Sequence, residues 1–203
     1  MVLAVRLDSL RTDRLVMRRW QHADREPFAA LNADPHTMRF FPGTLDRAAS
    51  DAIVDRIEER LEAQGFGMWA LEIASTGQFI GFTGLNPLPG GMPGGGGTVV
   101  GWRLARTAWH HGYATEAARA AVDVAFGVLE MAEVYSITAV LNEPSLAVMR
   151  RLGFTEFARW DDPRIPEDNP LRPRVTFRLG RGQPGPPHRS PVSWENLVPG
   201  ETP

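Results

Sequence analysis

The residues with the clearest potential for chemistry lie where a predicted strand gives way to a predicted helix near the middle of the chain. Residues 103–121 read RLARTAWHHGYATEAARAA, and the helix begins at Gly112-Tyr113-Ala114. The first N–H groups of a helix lack intrahelical partners and lie at the positive end of its dipole, so they form a site for phosphate. Gly112 permits close approach to the main chain. The segment indicates either a phosphate-binding loop or an ordinary glycine turn.

A second polar group follows about thirty residues later. Asn142 and Ser145 stand between a predicted strand and a short helix that ends at Gly153. Either side chain can cap the helix by accepting a hydrogen bond from an N–H group of its first turn. On spacing alone, the segment is typical of a capped amphipathic helix.

The composition excludes several kinds of chemistry. The chain of 203 residues has no cysteine, which excludes thiolate nucleophiles, disulfides and cysteine-ligated zinc. All 22 basic residues are arginine, which excludes Schiff-base lysines and a P-loop lysine. The adjacent residues His110 and His111 have no evident third ligand, so no metal site is expected.

Charge and hydropathy bear on partners and location. The 24 acidic residues give a net charge of −2, so no global basic field attracts nucleic acid or anionic lipid. The chain lacks a run of 18 apolar residues and a secretory leader, which predicts a cytoplasmic protein without membrane contact.

The elements that must position these residues follow from hydrophobic periodicity, which predicts an α/β fold with antiparallel hairpins and one central strand–helix–strand crossover. Strands are predicted at 15–17, 68–73, 79–85, 98–105, 134–140, 154–160 and 175–179, and helices at 23–33, 44–64, 112–131 and 145–152. Thr44 is the predicted cap of the second helix, and Gly65 its end. Residues 1–180 are predicted to form one domain, followed by a Pro/Gly-rich tail at 181–203.

Taken together, these segments resemble the GCN5-related N-acetyltransferases (GNAT). Residues 109–114 match the pattern Q/R-x-x-G-x-G/A from its second position onward, and residues 142–154 match N-x-x-[SA]-x-x-x-x-x-x-x-G-F. The opening segment LRTDRLVMR, the helix start GYATEA and the loop at 162–172 are similar to the branch that acetylates ribosomal-protein amino termini. The resemblance spans roughly residues 10–180. It implies a mixed, strongly twisted, mainly antiparallel sheet of about six or seven strands with helices on both faces.

The resemblance further implies that acetyl-coenzyme A lies between splayed central strands and that a primary amine attacks it directly in a ternary complex. It assigns cofactor contacts to Trp102, Arg103, Leu104, Trp109, His110, His111, Gly112, Tyr113, Ala114, Thr115, Asn142 and Arg151. A main-chain N–H group near Leu104 polarises the thioester carbonyl. Ser145 protonates the departing thiolate, unless it only caps the helix. Asn142 orients the pantetheine arm or the strand end.

Two positions depart from the family pattern. Trp109 stands where the family usually has Gln or Arg. Met149 stands where many members have a tyrosine thought to donate the proton, and a thioether cannot donate one. Relatives often place a glutamate at the positions of Val99 and Val100, so the general base is unassigned.

The acceptor site is predicted less sharply. Phe40 and Trp69 are expected to wall the pocket, and Asp161 to attract a cationic amine. Glu72, His36 and Asp161 are candidates for the base. The acceptor is a peptide amino terminus or a small amine, and the protein a monomer or homodimer. Two alternative functions stay open. The first is a catalytically silent acyl-CoA-binding regulatory module, and the second is an ordinary α/β fold that binds a nucleotide.

Overall fold

The computed structural model describes residues 6–182. Among these residues, eight strands are formed, namely β1 (Ser9–Arg11), β2 (Leu15–Arg18), β3 (Met68–Ile73), β4 (Gln78–Pro87), β5 (Thr98–Leu104), β6 (Glu133–Ala139), β7 (Thr155–Asp161) and β8 (Pro173–Gly180). The helices are α1 (Arg25–Ala33), α2 (Pro35–Met38), α3 (Arg47–Gln64), α4 (Tyr113–Gly127) and α5 (Glu143–Leu152). The predicted tail falls outside the described residues except for Arg181 and Gly182.

One sheet contains all eight strands in the order β1-β2-β3-β4-β5-β6-β8-β7. Its pairs are antiparallel except β5 and β6, which run parallel and are joined by α4. The predicted mixed, mainly antiparallel fold is confirmed, with one strand more than expected. The additional strand is β1, which pairs with β2 and is only three residues long, too short for a periodic pattern in the sequence.

Several helix boundaries differ from the prediction. The cap of α3 is Asp46 rather than Thr44, because the Asp46 carboxylate accepts from the main-chain N–H of Ala49 at 2.8 Å. Gly65 ends this helix with φ 75°, as predicted. Helix α4 ends at Gly127, four residues before the predicted end at Met131.

Helices pack against both faces of the central strands. On one face, α1 contributes Phe28 to an aromatic cluster with Trp20, Phe79 and Phe82. The opposite face of β5 carries Val100 and Leu104, which are buried as well. It is α4 that contacts β4 and β5 there, and it carries a stripe of buried alanines. Small side chains let this helix lie close to the sheet.

The sheet opens between its two parallel strands. Val99 and Tyr135 form the single paired position between β5 and β6 among the described residues, whereas β6 is paired along its full length with β8. Since α4 begins after β5 and α5 begins after β6, both helix starts lie near the open end of the gap. Open α/β sheets bind ligands at such a place.

Candidate active site

A cleft of about 1020 Å³ extends from the open end of the sheet to the start of α4. Its lining includes eleven of the twelve predicted cofactor contacts, namely Trp102, Arg103, Leu104, Trp109, His110, Gly112, Tyr113, Ala114, Thr115, Asn142 and Arg151. Ser145 and Phe40 line it too. The remaining predicted contact, His111, does not line the cleft, and its ring is stacked on Tyr113 with 5.5 Å between centroids.

The start of α4 exposes main-chain donors to this cleft. Gly112 is the N-cap with φ 81°, and no side chain caps the helix. His110 also has a positive φ of 64°, which is uncommon for a residue with a side chain. Uncapped N–H groups at the positive end of the α4 dipole form an anion site at one end of the cleft.

Trp109 has a role that its sequence position did not reveal. Its indole N–H donates to the main-chain carbonyl of Leu104 at 2.9 Å, and the Arg39 guanidinium lies 5.0 Å from its ring centroid. The residue that replaces the family's Gln or Arg therefore ties the loop before α4 to the end of β5.

Main-chain direction along β5 decides what faces the gap. Ala105 donates its N–H to Ile80 of β4 at 2.9 Å, whereas the Val100 carbonyl accepts from the Ser136 hydroxyl of β6 at 3.0 Å. Main-chain groups alternate in direction along a strand, so the N–H groups of Trp102 and Leu104 point away from β4 and into the gap. The N–H of Leu104, the donor that the resemblance implies, thus points into the gap.

Arg14 and Glu116 join the start of α4 to the first hairpin, and sequence reasoning missed them as a pair. The Glu116 carboxylate accepts from Thr12 Oγ1 at 2.6 Å, from the Arg14 main-chain N–H at 2.9 Å and from Arg14 Nε at 2.7 Å. Arg14 in turn donates to the His111 carbonyl at 2.9 Å and lies over the Tyr113 ring. Both residues occur in the matched segments LRTDRLVMR and GYATEA, but their separation of 102 residues hides the contact.

We expect Glu116→Ala to lower the free energy of unfolding by about 2 kcal/mol, because the change removes several charge-assisted hydrogen bonds from a half-buried site. It also releases Arg14, so we expect the affinity for coenzyme A, the cofactor that the resemblance implies, to fall. Thermal denaturation and calorimetric titration measure the two effects.

Glu143→Ala is the matched control for this change. Glu143 also lies in the first turn of a helix, but it makes a single exposed ion pair with Arg150 at 3.2 Å. An exposed pair contributes less than about 1 kcal/mol. Equal losses of stability in the two variants would contradict a stabilising role for the hydrogen bonds between Glu116 and Arg14.

Asn142 and Ser145 are held together at the start of α5. Asn142 is the N-cap and accepts from the main-chain N–H of Ser145 at 3.3 Å, so the prediction of Ser145 as the cap is wrong and the Asn alternative is confirmed. Asn142 Nδ2 donates to Thr138 Oγ1 at 2.8 Å and to Ser145 Oγ at 3.0 Å. Because Ser145 Oγ accepts from Asn142, its own proton is directed elsewhere.

The cleft carries more positive than negative charge, although the chain as a whole is acidic. Five arginines line it, namely Arg14, Arg39, Arg103, Arg119 and Arg151, against the acidic residues Asp13, Glu116 and Asp123. This local surplus favours an anionic ligand.

A smaller cavity of about 430 Å³ lies beside the cleft and shares Phe40, Arg103 and Ser145 with it. Phe40, a predicted acceptor contact, thus lines both cavities. Met149, only 1% exposed, also lines the smaller cavity. Ser145 is among the residues that line both cavities.

Two predicted acceptor contacts are wrong. Trp69 is fully buried in the core, where its indole N–H donates to the Leu7 carbonyl at 2.7 Å, and it lines neither cavity. Asp161 also lines neither cavity and lies 3.7 Å from Arg172. Its neighbour Asp162, one residue beyond the end of β7, lines the smaller cavity instead.

The candidates for a general base are not brought to the cavities either. Glu72 pairs with Arg18 at 2.8 Å, and Glu72, His36 and Asp161 are all absent from the lining. Asp162 is the one acidic residue among those lining the smaller cavity. Its hydrogen bonds from Arg164 hold its pKa below the ordinary value, so it is a poor proton acceptor.

Within residues 6–182, no group of three metal-ligating side chains occurs. Over the same residues, none of the helices is both long and apolar enough to cross a membrane.

This fold and cleft define an acetyltransferase. Residues 14–155 match the family model described as an acetyltransferase (GNAT) domain. The chain belongs to the GNAT family, and it is an N-acetyltransferase.

Individual relatives agree with this assignment. The chain is 32% identical over 167 residues to the FsC-acetyl coenzyme A-N(2)-transacetylase of Aspergillus fumigatus, covering 76% of this chain and 70% of that enzyme. An acetyltransferase structure from Agrobacterium tumefaciens is 28% identical with a TM-score of 0.69, covering 85% of this chain and 94% of the other. Mycobacterium smegmatis RimJ in complex with CoA-disulfide shares the fold at 18% identity, with a TM-score of 0.67 and 85% of each chain covered.

Proposed function

We propose that this protein transfers the acetyl group of acetyl-coenzyme A to a primary amine, by direct attack in a ternary complex. The observation that carries the proposal is the gap between the parallel strands β5 and β6, which leads from a second cavity to the uncapped start of α4. The gap fits an elongated thioester between an anion site and an acceptor.

The residues present fit acetyl-coenzyme A. Gly112, with φ 81° and no side chain, leaves the helix start open to a diphosphate, and Arg14 lies next to it. The exposed edge of β5 at Trp102 and Leu104 provides main-chain partners for an amide-containing arm. Acetyl-coenzyme A, when bound there, supplies a thioester carbonyl carbon that forms the new C–N bond as the C–S bond breaks.

The residues of the chain then have three tasks. The Leu104 N–H donates to the carbonyl oxygen as it gains negative charge, a contribution of roughly 10²–10³-fold in rate where such a donor has been removed from other enzymes. Ser145 donates its proton to the leaving thiolate, and Asn142 holds the Ser145 hydroxyl in place. The absence of cysteine rules out a thiol acyl-enzyme, so direct attack is the simplest course.

The amine must be neutral when it attacks. Since no free carboxylate lines the smaller cavity, we propose that water removes the proton, and the positive charge of the cavity lowers the pKa of the bound amine. An α-amino group, with a pKa of about 8 in water, needs less help than a lysine-like amine at about 10.

Amine-dependent release of free thiol from acetyl-coenzyme A tests this function. We expect product above the hydrolysis blank for at least one amine of a panel of amino acids, polyamines and peptides, with the acetylated product identified by mass spectrometry. Tight binding of coenzyme A without product across the panel would instead support the silent binding module. Equal affinity for ATP or NAD would favour nucleotide binding.

A further inference from the structure

The charges that line the smaller cavity are opposite to those predicted for it from the sequence. Arg103, Arg164 and Arg174 line it, with Asp162 as their only acidic companion among the lining residues. Asp162 is already paired, because Arg164 donates hydrogen bonds to both of its carboxylate oxygens at 2.8 and 2.7 Å. Two guanidinium groups therefore remain for a ligand.

Arg103 is a partly buried cation without a carboxylate partner among the described residues. Its Nη1 donates to Asn32 Oδ1 at 2.6 Å, and its remaining neighbours include the rings of Phe41 and Phe82, whose centroids lie 4.0 and 5.5 Å from its guanidinium carbon. The Nε atom is buried and has no hydrogen-bond partner in the described part of the chain. Burying an unpaired charge is costly, so a site that retains one is suited to an anionic ligand.

Arg174, on β8, is the second cation that lines the smaller cavity. Its side chain is 14% exposed, and it approaches the already paired Asp162 only to 3.8 Å. Burial lowers the pKa of Arg174, and it lowers that of Arg103 to about 10. A pKa of about 10 leaves Arg103 charged at neutral pH.

We propose that the acceptor is a small amine that also carries a carboxylate, which Arg103 and Arg174 bind while its amino group lies near Ser145. Arginine binds carboxylates through two parallel hydrogen bonds, so two such residues fix the orientation as well as the charge. The aromatic rings of Phe40, Phe41 and Trp160 line the same cavity and favour an apolar side chain on the acceptor. The amino-terminal residue of a peptide has its α-carboxyl group in a peptide bond and so lacks this carboxylate, which makes a free amino acid a better fit for the cavity than a peptide.

This inference rests on the proposed function. A set of matched acceptor amines can test the preference for a carboxylate separately from the acetyl transfer itself. We compare phenylalanine, phenylalaninamide and 2-phenylethylamine, which share the ring and the amine, with kcat/KM expressed per concentration of free amine. Phenylalanine is expected to exceed the other two by at least about 10-fold, which corresponds to about 1.4 kcal/mol. Acetylation of all three without a preference for the carboxylate would overturn the inference and leave the proposed function intact.

Substitutions of the two arginines test whether they cause the preference for a carboxylate. In Arg174→Gln, and separately in Arg103→Gln, the ratio of kcat/KM for phenylalanine to that for phenylalaninamide should fall to about one. Arg150→Gln is the control, because Arg150 is exposed and pairs with Glu143 outside both cavities. An undiminished ratio in a folded Arg174→Gln protein would contradict the assignment even if Arg103→Gln did not fold.

A binding measurement tests carboxylate recognition without requiring catalysis. N-acetylphenylalanine should raise the melting temperature of the protein more than N-acetylphenylalaninamide does, and Arg174→Gln should abolish the difference. Equal shifts in the parent protein would overturn the inference. Failure of every amine in the activity assay would count against the proposed function alone.

Discussion

Ser145→Ala is expected to lower kcat by about 10²-fold, at the lower end of what a positioned general acid contributes, with little change in the affinity for coenzyme A. The Ser145 hydroxyl accepts from Asn142 and lies where the two cavities meet, so its proton can be donated to the leaving thiolate. Met149, at the position of the family's tyrosine, cannot replace it. Single-turnover and steady-state rates with a good amine measure the effect.

Ser145→Ala removes the hydroxyl without removing the helix cap. Alanine keeps the main-chain N–H that donates to Asn142, so the helix cap survives and the melting temperature should change little. Asn142→Ala is the companion variant, and it should lower stability by about 1 kcal/mol through loss of the cap, besides disturbing the Ser145 hydroxyl. Wild-type kcat in Ser145→Ala would remove the serine from the mechanism.

Gly112→Val should weaken coenzyme A binding by about 10- to 100-fold. A left-handed φ of 81° costs a residue with a side chain about 1–3 kcal/mol, and more for a β-branched one, so the loop relaxes away from the conformation that binds phosphate. The new side chain also meets Arg14 Nη2 at 3.4 Å and obstructs the helix start. Isothermal titration with coenzyme A measures the loss.

Gly91→Val controls for the backbone strain. Gly91 has nearly the same φ of 84°, with no atom within 4 Å of an added Cβ, and it does not line either cavity. Its substitution should reduce stability to a comparable degree without changing the affinity for coenzyme A. An equal loss of affinity in both variants, or intact affinity in a folded Gly112→Val protein, would contradict the placement of the diphosphate.

Local patterns predicted most of the elements because their determinants lie close together in the chain. The alanine stripe of α4, the glycine stops at Gly65 and Gly153 and the β-branched strand before α5 are examples. Caps were predicted less well, since Asp46 and Thr44, or Asn142 and Ser145, are chemically similar and only the main-chain path selects between them. The three-residue strand β1 exists because β2 pairs with it.

The acceptor site was predicted least well. Trp69 and Asp161 have residue types suited to an amine-binding pocket, but one side chain packs in the core and the other lies outside both cavities. Arg103 was expected to contact the cofactor because of its position on β5, and no pattern in the sequence indicates that its guanidinium lies against Phe41 and Asn32. Which charges face a cavity depends on residues far apart in the chain.

The sequence by itself determined the order of the elements, the glycine at the start of α4 and the absence of cysteine and lysine chemistry, because each depends on residue type or on neighbours within a few turns. Only the tertiary structure decided that Arg14 and Glu116 meet and that the second cavity is positively charged. Long-range packing sets which side chains lose water and which retain a partner, and burial and pairing together determine what a polar group can bind.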